Sequence, residues 1–151
     1  MVGKNEFSGD VLMDFSGGTG EIVIEDGLVK DCRDFSTAVC LSLFGGNKDD
    51  TKGVEKDTWW GNLILGTKEN EQMKSEFSAV VSGVPLTSGN IRKAKDAAAR
   101  DLSWIKNDAG AESVEVSLQA VSPNRVYLES SIMQGESESK NKYEMQWQEA
   151  E

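Results

Sequence analysis

Apolar residues recur with two different periods along this chain, and each period predicts one kind of element. A period of two comes first, at Ile22 and Ile24, and it predicts a partly buried strand. The glycine-rich segment 17–20 separates this strand from an apolar run at 10–16 and predicts a hairpin turn. Residues 1–19 are then an N-terminal arm or one side of that hairpin. The glycines do not open a helix, as a phosphate-binding loop would require.

A helical period of three to four residues follows in the middle of the chain. It occurs at 34–46, where Asp34 is a candidate N-cap, and again at 73–83. The strongest example lies between Thr87, a second candidate N-cap, and Gly110, a candidate stop. Its apolar stripe consists of Ile91, Ala94, Ala98, Leu102 and Ile105. Alanines in such a stripe allow close packing on a sheet or on another helix.

The period of two returns in the last quarter, at 113–122, 124–134 and 142–148. In the last of these segments one face carries Tyr143, Met145 and Trp147. The polar segment 135–140 before it predicts a flexible lead. The order of strands, helices and strands predicts an α+β fold in one domain, 1–151, with a small antiparallel sheet whose C-terminal three-strand segment packs on a long helix.

Charge and composition exclude several function classes. The net charge is −10, which argues against nucleic acid and against anionic membrane surfaces, because both need a basic surface. No apolar run approaches the roughly 20 residues of a membrane span, and the first residues lack the apolar core of a signal peptide. A cytoplasmic site of synthesis is therefore expected, with Cys32 and Cys40 as reduced, structural thiols.

The chain contains no histidine. This excludes Ser–His–Asp and Cys–His catalysis and removes the commonest metal ligand. Acidic side chains are abundant, but their spacing fits neither a calcium loop nor an evident pair of catalytic carboxylates. The residue pattern therefore favours binding or assembly over catalysis, with no catalytic site, cofactor or metal expected.

Trp59 and Trp60 are adjacent and follow the charged segment 46–57. Neighbouring side chains point to opposite faces of a strand and diverge by about 100° on a helix, so two adjacent indoles seldom enter one core. Either both fold back on their own domain, or one of them anchors a partner, as tryptophans at interfaces often do.

The order of these segments resembles the baseplate wedge family of Mu-like contractile-tailed phages. The resemblance covers about residues 20–132, with a weaker likeness in the aromatic C-terminal strand. The segments that carry it are Glu25–Asp26–Gly27, Leu43–Phe44, Trp59–Trp60–Gly61, and Ala98 with Leu102 and Trp104. The stretch between Gly61 and the long helix is less basic than is usual in the family, and residues 1–19 and 73–83 do not follow its pattern.

The resemblance implies a structural protein of the virion, placed in the tail baseplate near the tube. Its expected partners are other wedge proteins and the sheath, tube and hub proteins, with assembly in the host cytoplasm. The implied role is a platform for sheath polymerisation by strand addition. The expected partner-binding residues are Trp59, Trp60, Tyr143, Met145 and Trp147. A peptidoglycan hydrolase and an acidic adaptor in another contractile injection particle are the alternatives.

Overall fold

A computed structural model describes residues 10–14, 21–45, 75–81 and 84–147. It contains helices and antiparallel strands in the predicted order, which confirms the α+β class. Trp59 and Trp60 lie outside the described residues, as do most of the segment 1–19 and the charged segment 46–57.

The C-terminal sheet has three antiparallel strands of ten residues each. They are β7 (Ser113–Ser122), β8 (Arg125–Gln134) and β9 (Ser137–Gln146), in the order β7-β8-β9. Their alternating burial follows the period of two in the sequence, because successive side chains of a strand point to opposite faces. The inner face of β8 carries Val126, Leu128 and Ile132, all fully buried.

The predicted flexible lead at 135–140 is wrong. Gly135 and Glu136 form a tight turn, and β9 already pairs with β8 from the Gln134–Ser137 partners onward. Gly135 has a φ of +62°, a backbone conformation that glycine adopts without strain. The polar side chains do not prevent strand formation, since the ladder is built from backbone groups.

Four helices are described between the two β regions. They are α1 (Ser36–Phe44), α2 (Glu76–Val81), α3 (Ser88–Asp101) and α4 (Ser103–Asn107). The long helix α3 begins as predicted, because the hydroxyl of Thr87 accepts a hydrogen bond from the backbone N–H of Asn90. The N-cap position of α1 is Phe35 and not the predicted Asp34, which lies one residue earlier and accepts bonds from the N–H and the hydroxyl of Ser36.

One apolar core lies between the helices and the inner face of the C-terminal sheet. Helix α3 contributes three fully buried alanines, and the side chains that follow it, Leu102 and Ile105, are also fully buried. These meet Phe77 of α2, Leu43 of α1 and the inner side chains of β7 and β8 in one cluster. The predicted stripe is therefore the core face of the long helix, and Ala97 belongs to it as well.

The N-terminal region forms a second, much smaller β structure, here called the β module (10–14 and 21–32). Its three extended segments contain β1 (Asp10–Val11), β2 (Met13–Asp14), β3 (Glu21–Ile22), β4 (Ile24–Glu25), β5 (Leu28–Val29) and β6 (Asp31–Cys32). Each segment pairs with both others, as β1-β6, β2-β3 and β4-β5. The β2-β3 pairing agrees with the hairpin predicted for this region.

Three backbone hydrogen bonds join the segments of the β module in a closed ring. The N–H of Leu12 donates to the carbonyl of Lys30, the N–H of Lys30 to that of Val23, and the N–H of Val23 to that of Leu12, at 2.8–3.0 Å. The module meets the helices through Thr37 of α1, whose hydroxyl donates to the Val11 carbonyl at 2.7 Å.

The expectation that Ile22 and Ile24 are partly buried is wrong. Ile22 is 55% exposed and Ile24 is 66% exposed. The alternation of apolar and polar residues correctly indicates a strand, but the apolar face of that strand is uncovered.

Candidate partner-binding edge

Strand β9 lies at one edge of the C-terminal sheet. Its ten residues pair with β8 on one side, and no strand pairs with its other side among the residues that the structure describes. An edge strand of this length offers a row of backbone donors and acceptors to another chain. Strand β9 is therefore the candidate site for strand addition.

The register shows which backbone groups face away from β8. The N–H of Trp147 donates to the carbonyl of Asn124 at 2.7 Å, so these two residues are a hydrogen-bonded pair. Hydrogen-bonded and non-hydrogen-bonded pairs alternate along an antiparallel ladder. In β9 the odd-numbered residues therefore bond β8, and the even-numbered residues turn their N–H and C=O groups to the open edge. The latter are Glu138, Lys140, Lys142, Glu144 and Gln146.

Most charged side chains of β9 are paired with β8 or with each other. Lys142 contacts Glu129 at 3.2 Å and also lies over the ring of Tyr127, 4.3 Å from its centroid. Glu144 accepts a bond from Arg125 at 2.9 Å. These contacts are solvent-exposed and each contributes little to stability. They do, however, orient the Lys142 and Glu144 side chains across the sheet toward β8 and away from the open edge.

The side chain of Glu138 is also bonded toward β8. Its carboxylate accepts a hydrogen bond from the hydroxyl of Ser131 on β8 at 2.7 Å, and Lys140 lies 3.4 Å from it. The Ser131 bond, with a further contribution from Lys140, lowers the pKa of Glu138. The carboxylate is therefore ionised at neutral pH and held on the outer face of the sheet.

The aromatic face of β9 is turned inward. Trp147 is only 4% exposed, and its indole N–H donates to the carbonyl of Val84 at 2.7 Å. A side chain in this position completes the core of its own domain. The prediction that Trp147 binds a partner through its side chain does not agree with this burial.

Tyr143 and Met145 are half-buried against the same core. The Tyr143 ring packs edge-to-face on Phe44, with centroids 5.6 Å apart, and its hydroxyl lies 3.5 Å from the Ser36 carbonyl. Burial raises the pKa of Tyr143. Both side chains therefore hold the strand on the domain, and a partner contact by either of them stays a prediction.

The middle of β9 is attached to the core less firmly than its C-terminal end. Its inner face carries Ser139 and Asn141, which lie opposite Ile132 and Ser130 on β8. The hydroxyls of Ser130 and Ser139 and the amide nitrogen of Asn141 are buried, and none of the three has a hydrogen-bond partner. Each such atom costs about 1–3 kcal/mol relative to a satisfied one. The sequence pattern does not reveal this row, because the polar segment 135–140 predicts a flexible lead and Asn141 lies between that segment and the predicted strand.

The carboxylate of Asp101 joins α3 to α2 by hydrogen bonds. It lies at the end of α3 and accepts bonds from the N–H groups of Glu76 at 3.0 Å and Phe77 at 2.8 Å. It thus caps α2, assisted by Ser75, whose hydroxyl accepts from the N–H of Ser78 and donates to the Leu43 carbonyl. Burial raises the pKa of Asp101, although the two backbone bonds act against it.

The two cysteines are free thiols in buried positions. Burial raises the pKa of Cys40 to about 11, so this thiol is protonated and poorly nucleophilic at neutral pH. Within residues 10–14, 21–45, 75–81 and 84–147, no group of three or more Cys, Asp or Glu side chains is placed to hold a metal ion. None of the four helices is long and apolar enough to cross a lipid bilayer.

Comparison of the chain with protein-family models, with curated proteins and with solved structures finds no match.

Proposed function

We propose that this chain is a structural component of a contractile phage tail baseplate and a platform on which sheath polymerisation begins by strand addition. The proposal combines two observations. The first is the resemblance of the segment order to the baseplate wedge family of Mu-like phages. The second, which carries the mechanism, is the open edge of β9, a ten-residue strand with one unpaired side in the part of the chain described here.

Strand addition suits a contractile machine for a physical reason. Backbone hydrogen bonds along an edge hold two subunits together, while the domains behind that edge remain free to swing. Five residues of β9 turn their backbone groups outward, and most of its charged side chains are bonded across to β8 or to each other. A strand from a neighbouring subunit would therefore meet backbone groups with few side chains in its way.

The expected site of action is the baseplate, close to the tube. The expected partners are other wedge proteins and the sheath, tube and hub proteins. Trp59 and Trp60 remain candidates for a second contact with a wedge partner. The proposal assigns no catalytic step to the chain, and it needs neither a cofactor nor a metal.

The sharpest test blocks the open edge without disturbing the domain's own sheet. Lys140→Pro removes one outward N–H, a position at which an edge strand tolerates proline. Ser139, which precedes it, is already extended, as a residue before proline must be. Lys140→Ala is the matched control, because it removes the same side chain and keeps the N–H.

The readout is electron microscopy of phage particles that carry each variant, beside particles lacking the protein. We expect bare tubes on baseplates for the deletion and for Lys140→Pro, and normal sheaths for Lys140→Ala. Circular dichroism of the purified proline variant establishes that it is folded. Normal sheaths with a folded Lys140→Pro protein would refute docking through β9, and normal sheaths without the protein would refute the function itself. Clearing of a peptidoglycan zymogram by the purified chain would instead support the hydrolase alternative.

A further inference from the structure

Exposed apolar side chains lie close together on the β module, far along the sequence from β9. Ile22 and Ile24 occupy alternate positions of one segment, and Val29 is the cross-strand partner of Ile24. Side chains at alternate positions and at paired positions of antiparallel strands share a face. Ile22, Ile24 and Val29 therefore form one face, here called the apolar face, and all three are 55–66% exposed.

This exposure is unusual for these residue types. Valine and isoleucine are among the residues most often fully buried, and single exposed aliphatic side chains need no explanation. Three of them on one face of neighbouring strands do, since contiguous exposed apolar patches often mark interaction sites. Leu28, which precedes Val29 in β5 and pairs with Glu25, is also 73% exposed but lies on the opposite face of the hairpin.

The module does not need the apolar face for its own cohesion. The ring of backbone hydrogen bonds through Leu12, Val23 and Lys30 joins its three segments. Thr37 attaches it to α1, since its hydroxyl donates to the carbonyl of Val11 and lies 3.7 Å from the sulfur of Cys32. The apolar face is thus presented on a framework that is already fixed, which lowers the entropic cost of binding.

Charge around the apolar face restricts what can cover it. Positions 10–14 and 21–34 hold seven acidic residues and two basic ones. One of the basic residues, Lys30, is paired with Glu25 at 2.6 Å, and this contact lowers the pKa of that carboxylate. By the same alternation the exposed Asp31, two residues after Val29, lies on the apolar face, whereas Glu21 and Glu25 lie on the other face of their segment. Carboxylates one residue away lie well within the Debye length of about 8 Å at physiological salt, so they act on anything docked there.

This charge disfavours three of the possible occupants. A second copy of the chain in a two-fold dimer would set the same acidic surface against itself. Anionic lipid and nucleic acid would be repelled as well. The remaining fit is a protein surface with an apolar centre and a border of Lys or Arg.

We propose that the apolar face of the β module is a docking site for a protein partner whose apolar contact residues are flanked by basic side chains. The site is separate from β9 and does not depend on the proposed role in a phage baseplate. Apolar contact supplies the attraction at its centre, and the carboxylates around it select the basic partner and speed the encounter.

The test uses two synthetic strand-forming peptides with the same alternating Val and Tyr residues. One carries Lys at the intervening positions and the other carries Glu. Binding to the full chain is followed by fluorescence anisotropy, and the location of binding by amide chemical-shift changes. We expect the Lys peptide to bind at the β module and to bind at least about tenfold more tightly than the Glu peptide at low salt. Equal binding of both peptides, no binding of the Lys peptide, or shifts confined to another surface would overturn the proposal.

Substitutions separate the apolar contribution from the charged one. Ile22→Thr, Ile24→Thr and Val29→Thr together keep β-branched side chains and remove the apolar face. We expect this triple variant to lose about tenfold or more in affinity for the Lys peptide, whereas Val121→Thr, an exposed control on β7, changes nothing. Glu21→Gln with Asp31→Asn should weaken binding at low salt and have little effect at high salt.

Two further measurements bear on the other possible occupants. Sedimentation equilibrium shows whether the chain self-associates, and self-association abolished by the triple variant would make a second copy the occupant. Thermal unfolding shows whether the chain covers the face itself, because a large fall in the melting temperature of the triple variant would mean internal packing. Either result would overturn the proposal, and an unchanged melting temperature in a monomeric protein agrees with it.

Discussion

The two β regions of this molecule have the same sequence pattern, but the apolar face is covered in one and exposed in the other. In both, apolar and polar residues alternate along antiparallel strands. In the C-terminal sheet the apolar face is covered by α1, α2 and α3, and Leu128 is fully buried. In the β module the apolar face is open, with Ile24 66% exposed, and Leu28 on the other face is 73% exposed. A period of two thus shows that a strand has an apolar face, but not that the same chain covers it.

The largest expected effect comes from truncating the same residue type in the two regions. Leu128→Ala leaves a cavity in the core and should lower the free energy of unfolding by about 2–5 kcal/mol. Leu28→Ala removes an exposed side chain and should change it by no more than about 0.5 kcal/mol. Urea unfolding at equilibrium measures both values. Equal losses would mean that the β module contributes to a common core, and the contrast between the regions would fail.

The second largest effect on stability is expected at α2, one of the helices that pack on the C-terminal sheet. Asp101→Asn keeps the shape of the side chain but loses one of the two acceptors that cap α2, so a loss of about 1–2 kcal/mol is expected. Asp96→Asn is the control on α3, where the side chain is exposed. A stability equal to that of the unsubstituted chain would show that the charge of the Asp101 carboxylate does not stabilise α2.

The effect of Asp101→Asn on stability should depend on pH, in the direction set by the pKa shift of Asp101. Burial raises the pKa of Asp101 above its ordinary value of 3.8, so the folded chain holds this proton more tightly than the unfolded chain does. The resulting stabilisation is complete below the ordinary pKa and is lost as the pH rises through the raised one. The difference between the original chain and Asp101→Asn should therefore be larger near about pH 3 than near pH 7. The opposite trend would mean that the capping bonds outweigh burial.

A smaller effect on the free energy of unfolding is expected at the contact between the β module and α1. Thr37→Val keeps the side-chain shape and removes the hydroxyl that bonds the Val11 carbonyl, at a cost of about 1 kcal/mol. Hydrogen exchange should accelerate in the β module and remain slow in β8, because only the attachment is weakened. Ser103→Ala, which removes an exposed hydroxyl bonded only to the Arg100 carbonyl three residues earlier, is the control. Acceleration spread evenly over both regions would show that they unfold as one unit.

Local patterns were sufficient to predict much of the fold. The long helix was predicted from its apolar stripe and its Thr87 cap, since both depend only on residues close in sequence. The strands β7 and β8 and the turn between them were predicted for the same reason. The helix within 73–83 was placed correctly but begins later, at Glu76, and its cap could not be foreseen because it comes from Asp101, 25 residues away.

The candidate site was predicted only in part. The alternation of Tyr143, Met145 and Trp147 was enough to place them on one face of a terminal strand. Their neighbours were not foreseeable, because Val84, Phe44 and Ser36 are distant in sequence. The N-terminal half of β9 was missed altogether, since Ser, Lys and Asn have low strand propensity and this segment is specified by its pairing with β8.

The ring of backbone hydrogen bonds through Leu12, Val23 and Lys30 affects how the surface of the β module can change over evolution. Because the ring uses only main-chain atoms, its shape places few demands on which side chains occupy the module, with proline at the three ring positions as the clear exception. Side chains elsewhere in the module can therefore be substituted without breaking these bonds. A lineage could exchange one binding specificity for another there, by ordinary point substitutions, while the rest of the protein keeps its architecture.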